Sequence, residues 1–174
     1  PGWVGVNLGR HVSERFGFPA VTDSDIRMAA LAEHWRGVAQ DANDIVYLHV
    51  GRRPGAALLL DGRPHRGKDG AATQLGATHS ADWNGAYRRL VDRTVAAGMS
   101  EGDAVVNVLT LAAAGDPESV HRVATFSADL IHGVLPVIIA LDPEMVVVGG
   151  GMSVAGDALI NPIRSEVERS SDFP

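Results

Sequence analysis

Three consecutive glycines, Gly149, Gly150 and Gly151, stand between a short apolar run, Met145 to Val148, and the polar start of a helix. In a strand–glycine turn–helix arrangement, free backbone N–H groups can approach a phosphate or a sugar hydroxyl. Glycine serves there because a Cβ would block the approach or forbid a positive φ. The same residues also suit a tight strand–helix corner with no ligand, and the pattern alone does not choose between the two. A second glycine-bounded turn, Gly51-Arg52-Arg53-Pro54-Gly55, follows the apolar run Ile45 to Val50. Its two guanidiniums can attract an anion, but Pro54 has no N–H to donate, and a plain hairpin turn would read the same way. A polar cluster, Thr22-Asp23-Ser24-Asp25, has the composition of a helix N-cap.

The elements that must position these residues follow from periodicity. A helix is predicted to end at Gly17, with a short strand over Phe18–Val21. A second helix starts at the Thr22–Asp25 cluster, and Met28, Leu31, Ala32 and Trp35 mark its apolar face. Strands are predicted over 45–50, 56–60 and 63–66, with Asp61-Gly62 as a hairpin turn. Residues 67–76 read as a glycine-punctuated loop with a short helix, and 77–84 as an exposed loop. Helices are expected over 85–98, 101–113 and 117–140. Val120, Val123, Ala124, Ile131, Val134 and Leu135 form the buried stripe of the last, and Pro136 kinks it. Strands paired in a meander and a strand before a helix together indicate a mixed α/β fold.

Composition narrows the chemistry. The chain has 174 residues, 45% of them apolar, enough to build a core. Its net charge of −6 argues against a nucleic-acid surface on this chain. It contains no cysteine, which excludes thiolate nucleophiles, disulfides and cysteine-based zinc sites and fits a cytoplasmic protein. No signal-peptide pattern is recognised in these residues, and the apolar run around 134–141 is too short to span a bilayer, so no membrane partner is expected. The chain opens on Pro1-Gly2-Trp3 without a methionine, as a piece of a longer protein would.

Four stretches together resemble the ROK family of bacterial sugar kinases and sugar-responsive repressors. They are PGWVGVNL with RFGFPAV at 1–21, DSDIRMAALAE at 23–33, GAALLLDGRPHRGKDGAATQLG at 55–76 and LDPEMVVVGGGMSVAGDALINPIR at 141–164. The resemblance implies an actin-like ATPase (ribonuclease H-like) fold, a mixed sheet with helices, of which residues 1–174 form the large-lobe part. The first lobe and the closing strand–helix segment have no counterpart here. By resemblance, Asp25 stands at the catalytic aspartate, where a carboxylate would orient and deprotonate the attacking hydroxyl. The bland alternative is that Asp25 or Ser24 only caps the helix. The flanking sugar-binding asparagines are replaced by Ser24 and Arg27. A cation beside Asp25 would weaken it as a base unless Asp23 absorbs that charge. Gln74 takes the place of a sugar-binding glutamate and Ala77 that of a zinc-binding histidine, with His79 two residues on. The cysteine loop that closes around zinc is absent, so no zinc is expected. Gly51 and Gly55 remain from a phosphate loop, and Gly149, Gly150 and Gly151 match the nucleotide-side segment.

The resemblance therefore implies two readings. One is a sugar- or sugar-phosphate-sensing and dimerisation domain of a ROK transcriptional regulator, without kinase activity. Its effector would contact Ser24, Asp25 and Gln74. It would pair as a homodimer through the helices at 101–140 and reach DNA only through a separate domain. The other is an ATP- and magnesium-dependent sugar kinase using Asp25 as general base. A binding-only paralogue with no DNA link is a third possibility. On the first reading no cofactor is expected.

Overall fold

The computed structural model describes residues 5–73, 75 and 82–170. Helix α1, Leu8–Phe16, is capped by the Asn7 side chain and closed by Gly17 in the left-handed region. Helix α2, Asp25–Arg36, begins where the Ser24 hydroxyl accepts a hydrogen bond from the Arg27 N–H. Strands β1 (Ile45–His49), β2 (Gly55–Leu60) and β3 (Arg63–Pro64) form an antiparallel meander. The β2–β3 turn uses Asp61 and Gly62, both at positive φ. Helices α3 (Trp83–Ala96), α4 (Glu101–Ala113) and α5 (Pro117–Leu141) follow, capped by Asp82, Ser100 and Asp116. Strand β4 (Met145–Gly149) then returns parallel to β1, giving the order β3-β2-β1-β4, and leads through a 3-10 turn, Ser153–Ala155, to α6 (Asp157–Ser170).

The sheet is buried on both faces, so its central strands are almost continuously apolar rather than alternating. Ile45, Tyr47, Ala57, Leu59 and Val147 meet Ala30 of α2 on one side. Val46, Leu48, Val50 and Leu58 pack on the other against Trp83, Leu90, Phe126, Leu130, Ile131 and Leu159 of the helical layer. The parallel β1–β4 pair requires this long crossover, and it places the ends of both strands side by side.

The structure corrects several expectations. Phe18–Val21 forms no strand; Pro19 has no N–H for a ladder, and Phe18 and Val21 lie exposed. The third strand stops at Pro64 for the same reason, although the His65 N–H still reaches the Leu58 carbonyl at 2.8 Å. The face of α2 turned to the sheet carries Ile26, Ala29, Ala30 and part of Leu31, whereas Trp35 is 69% exposed. The helix is apolar on two sides, and only small residues let its axis approach the sheet. Met28, Leu31, Ala32 and Trp35 line an open groove of about 460 Å³, and of these Leu31 also packs against the core under the helix.

The loop expected over 77–84 ends earlier, because Trp83 opens α3, fully buried, with its indole N–H donating to the Asp129 carbonyl at 3.2 Å. The short helix expected within 67–76 falls partly outside the described residues. The buried stripe of α5 runs through Ser119, Val123, Phe126, Ser127, Leu130, Ile131 and Val134; Val120 and Ala124 fall off it. Pro136 sits inside a helix that continues to Leu141. By length and composition α5 is sufficient to cross a membrane. Here its buried stripe packs against α3, α4 and α6, as in a core helix.

Candidate functional site

The two glycine turns, 100 residues apart in the chain, meet at the carboxyl ends of β1 and β4. The Val50 N–H donates to the Gly149 carbonyl at 2.7 Å, and the Met152 N–H returns to the Val50 carbonyl at 3.1 Å. A side chain on Gly51 would point to within 4.0 Å of the Gly151 backbone nitrogen. Gly51, Gly149, Gly150 and Gly151 therefore share one corner, at the end of the sheet where open α/β folds bind ligands. What the missing side chains make room for differs among them. At Gly150, with φ +100°, a Cβ would lie 2.6 Å from the Val50 carbonyl oxygen and about as close to the His49 ring. At Gly149 it would strike the Tyr47 ring, whereas at Gly151 it would meet nothing among the described residues. The corner itself thus requires Gly149 and Gly150, and Gly151 alone faces open space.

His49 was not among the sequence candidates. Its ring lies between the two turns, against Gly51 and Gly150, with a buried Nδ1 that has no partner among the described residues. Its sequence signal is a polar residue closing an otherwise apolar strand immediately before a glycine turn.

Gly55 belongs to a different part of the site. It opens β2, buried, and a Cβ there would collide with the Ile26 side chain. Its absence lets the start of α2 lie against the sheet. This close approach forms a cleft of about 350 Å³ whose lining includes Ser24, Asp25, Arg53, Gly55, Thr73 and Asn84. Four predicted residues are thereby separated into two groups: Ser24, Asp25 and Gly55 in the cleft, and Gly51 with the other glycine turn. Gln74, Ala77 and His79 lie outside the described residues. Asp25 is exposed to the cleft and accepts a hydrogen bond from the Ile26 N–H at 2.9 Å; it has no ion-pair partner among the described residues.

Arg27 does not turn toward Asp25. Its Nε donates to Asp23 at 2.5 Å and its Nη1 to the Gly70 carbonyl at 3.2 Å. The second Asp23 oxygen accepts from Arg66 at 2.6 Å. Asp23 is the most buried member, its side chain only 2% exposed. Burial pushes its pKa up, but hydrogen bonds from Arg66, Arg27 and the Ser24 N–H, with the Arg27 charge, outweigh this and hold it at about 2. Asp23 thus absorbs the charge that replaced the second asparagine, and the same network ties α2 to the loop at 66–70. Among the described residues no group of three His, Asp or Glu side chains converges as a metal site would require.

A meander of three strands, a helical crossover and a parallel fourth strand, with a ligand-sized cleft where the start of α2 meets the start of β2, match the actin-like ATPase fold class. The chain belongs to the ROK family, whose sequence profile matches residues 1–171. It is 25% identical over 195 residues to a glucokinase of Halalkalibacterium halodurans, covering 96% of this chain and 59% of that protein. It is 24% identical to a xylose repressor of Caldicellulosiruptor bescii, covering 97% of this chain and 49% of that protein. Among solved structures, a ROK family glucokinase from Streptomyces griseus in complex with glucose and AMPPNP matches with a TM-score of 0.76 at 23% identity, covering 93% of this chain and 62% of that one. The chain thus spans about half to three-fifths of the length of these proteins. The family contains both kinases and repressors.

Proposed function

We propose that this chain is the effector-sensing part of a ROK transcriptional regulator, binding a sugar or sugar phosphate over Ser24 and Asp25 without phosphorylating it. The observation that carries this reading is the turn Arg52–Gly55. Pro54 has no N–H, and the Arg52 guanidinium pairs with Glu101 at 2.9 Å. A nucleotide's phosphates need converging N–H donors held free of other partners. The His49 ring also fills the space between the two glycine turns. These residues do not fit a triphosphate cradle, so no step is routed through ATP or magnesium. Asp25 would act as a hydrogen-bond acceptor that orients a sugar hydroxyl.

In this reading the chain forms the large lobe of a two-lobed domain. Effector binding would shift the angle between lobes and, through it, a paired DNA-binding domain. Pairing would use the exposed apolar side of α4, where Val106 is 60% exposed. Val106→Lys is then expected to shift the protein from dimer to monomer in sedimentation velocity; an unchanged dimer places the interface elsewhere.

The exposed carboxylate of Asp25 favours a second reading, a sugar kinase. One experiment separates them: a coupled phosphorylation assay with ATP, magnesium and glucose, N-acetylglucosamine or mannose. The expected result is no turnover above background for the protein or for Asp25→Asn, with Asp25→Asn weakening sugar binding about tenfold, the worth of one hydrogen bond to a charged group. Turnover that Asp25→Asn abolishes would establish the kinase and overturn the regulator-only reading.

A further inference from the structure

Two clefts meet at Arg53. The first is the Asp25 cleft; the second, of about 280 Å³, is lined by Arg52, Arg53, Asn84, Tyr87, Arg88 and Glu101. Arg53 and Asn84 line both, so the second cleft opens directly beside the carboxylate that would face the sugar. Its charge is cationic, with three guanidiniums against one carboxylate, in a chain whose net charge is −6. The single carboxylate, Glu101, is engaged by Arg52. Arg53 and Arg88 are exposed and have no ion-pair or hydrogen-bond partner among the described residues. Arg88 acts on Asp82 only at longer range, where Asp82 is committed to capping α3 and to Arg89. Tyr87 is buried and lines this cleft, with its hydroxyl within the field of both Glu101 and Arg52. Neighbouring unpaired guanidiniums repel each other, and an anion between them removes that cost. Their planar, forked donors fit the oxygens of a phosphoryl group better than a hydroxyl.

We propose that this second cleft takes the phosphoryl group of a phosphorylated monosaccharide whose ring lies over Asp25. The proposal rests on the sugar-sensing reading and narrows its ligand from any sugar to an anionic one. Arg53 and Arg88 clamp the phosphoryl oxygens, Asn84 spans the two clefts as a hydrogen-bond partner, and Asp25 accepts from a ring hydroxyl. The replacements that spoil the turn as a nucleotide cradle thus provide a site for a phosphate already attached to the sugar.

Isothermal titration calorimetry on the purified protein tests this with matched pairs. The probes are glucose and glucose 6-phosphate, N-acetylglucosamine and its 6-phosphate, and N-acetylmannosamine and its 6-phosphate, with ATP and inorganic phosphate as further arms. The expected result is one phosphorylated sugar binding about ten- to a hundredfold tighter than its parent, the worth of one or two charge-assisted hydrogen bonds. In Arg53→Ala and Arg88→Ala that ratio collapses toward one, while Arg53→Lys retains part of it. Both positions are exposed and unpaired, so these variants keep the fold, which their melting temperatures verify.

Equal affinity for parent and phosphate, or a ratio that survives both alanine variants, overturns the proposal and leaves the sugar-sensing reading standing. A preference for ATP over every sugar phosphate assigns the arginines to a nucleotide and also overturns it. If no sugar or sugar phosphate binds, both readings fall.

Discussion

Replacing Asp23 by alanine is expected to destabilise the protein by about 3–5 kcal/mol, the typical cost of removing one partner from a buried ion pair. The midpoint of thermal unfolding should fall on the order of 10 °C for a chain of this size. The reason is what the substitution leaves behind. Arg66 is half exposed and can recover its hydration, but the Arg27 side chain is only 12% exposed and stays facing a site with no anion. The link from α2 to the Gly70 carbonyl then loosens, and with it the wall of the Asp25 cleft. Asp25→Ala, at an exposed position with no ion pair, should cost far less. Comparable losses in the two variants would show that the network is not what holds the helix start in place.

The same carboxylate sets a dependence on acid with a definite sign. The folded-state pKa of Asp23 is lowered from 3.8 to about 2, so its contribution is complete above pH about 4 and is lost as the pH falls from about 4 to 2. The linkage is worth roughly 2 kcal/mol, less at high salt because the Arg66 half of the network is screened. Denaturant titrations of the protein and of Asp23→Ala should therefore be separated by a constant gap at neutral pH that narrows in acid. A gap that is flat down to pH 3 or below would exclude the ion network as its source.

Gly150→Ala should cost roughly 2–4 kcal/mol, combining the strain of a left-handed residue with a Cβ that has no room. The obstacle is backbone: the Val50 carbonyl, 2.6 Å from the added atom, is fixed by its hydrogen bond from Met152. The neighbouring Val50 N–H to Gly149 bond prevents the strand from moving aside. Gly151→Ala is the internal control, since none of the described residues lies within 4 Å of its Cβ position, and a change within about 0.5 kcal/mol is expected. Equal effects at the two positions in equilibrium unfolding would contradict the assignment of Gly150 to the corner.

Much of this chain was legible locally. Helix starts at Ser24, Ser100 and Asp116 and the Gly17 stop follow from capping groups that satisfy backbone within one turn. The Asp61-Gly62 turn is equally local, because a positive φ at both positions selects these residues. The mixed α/β class and the order of the motifs also follow from the chain alone. Phe18–Val21 shows the limit: apolar, extended residues become a strand only where another strand accepts their hydrogen bonds, and none does among the described residues.

Periodicity likewise found an amphipathic stripe on α2 but could not tell which of its two apolar sides would meet the sheet. That was decided by the small size of Ala30 and by the space that Gly55 leaves for Ile26. The division of labour between Asp23 and Asp25, two residues apart and chemically alike, depends on Arg66 and Gly70 arriving from another part of the chain. The long helices, their caps and the glycine turns are legible in the chain itself, because they are set by interactions within a few residues. That Gly150 is reserved for the protein's own carbonyl, that His49 fills the gap between the turns and that Arg53 stands beside Asp25 follow from the folded packing alone. Each of those depends on packing between segments far apart in sequence.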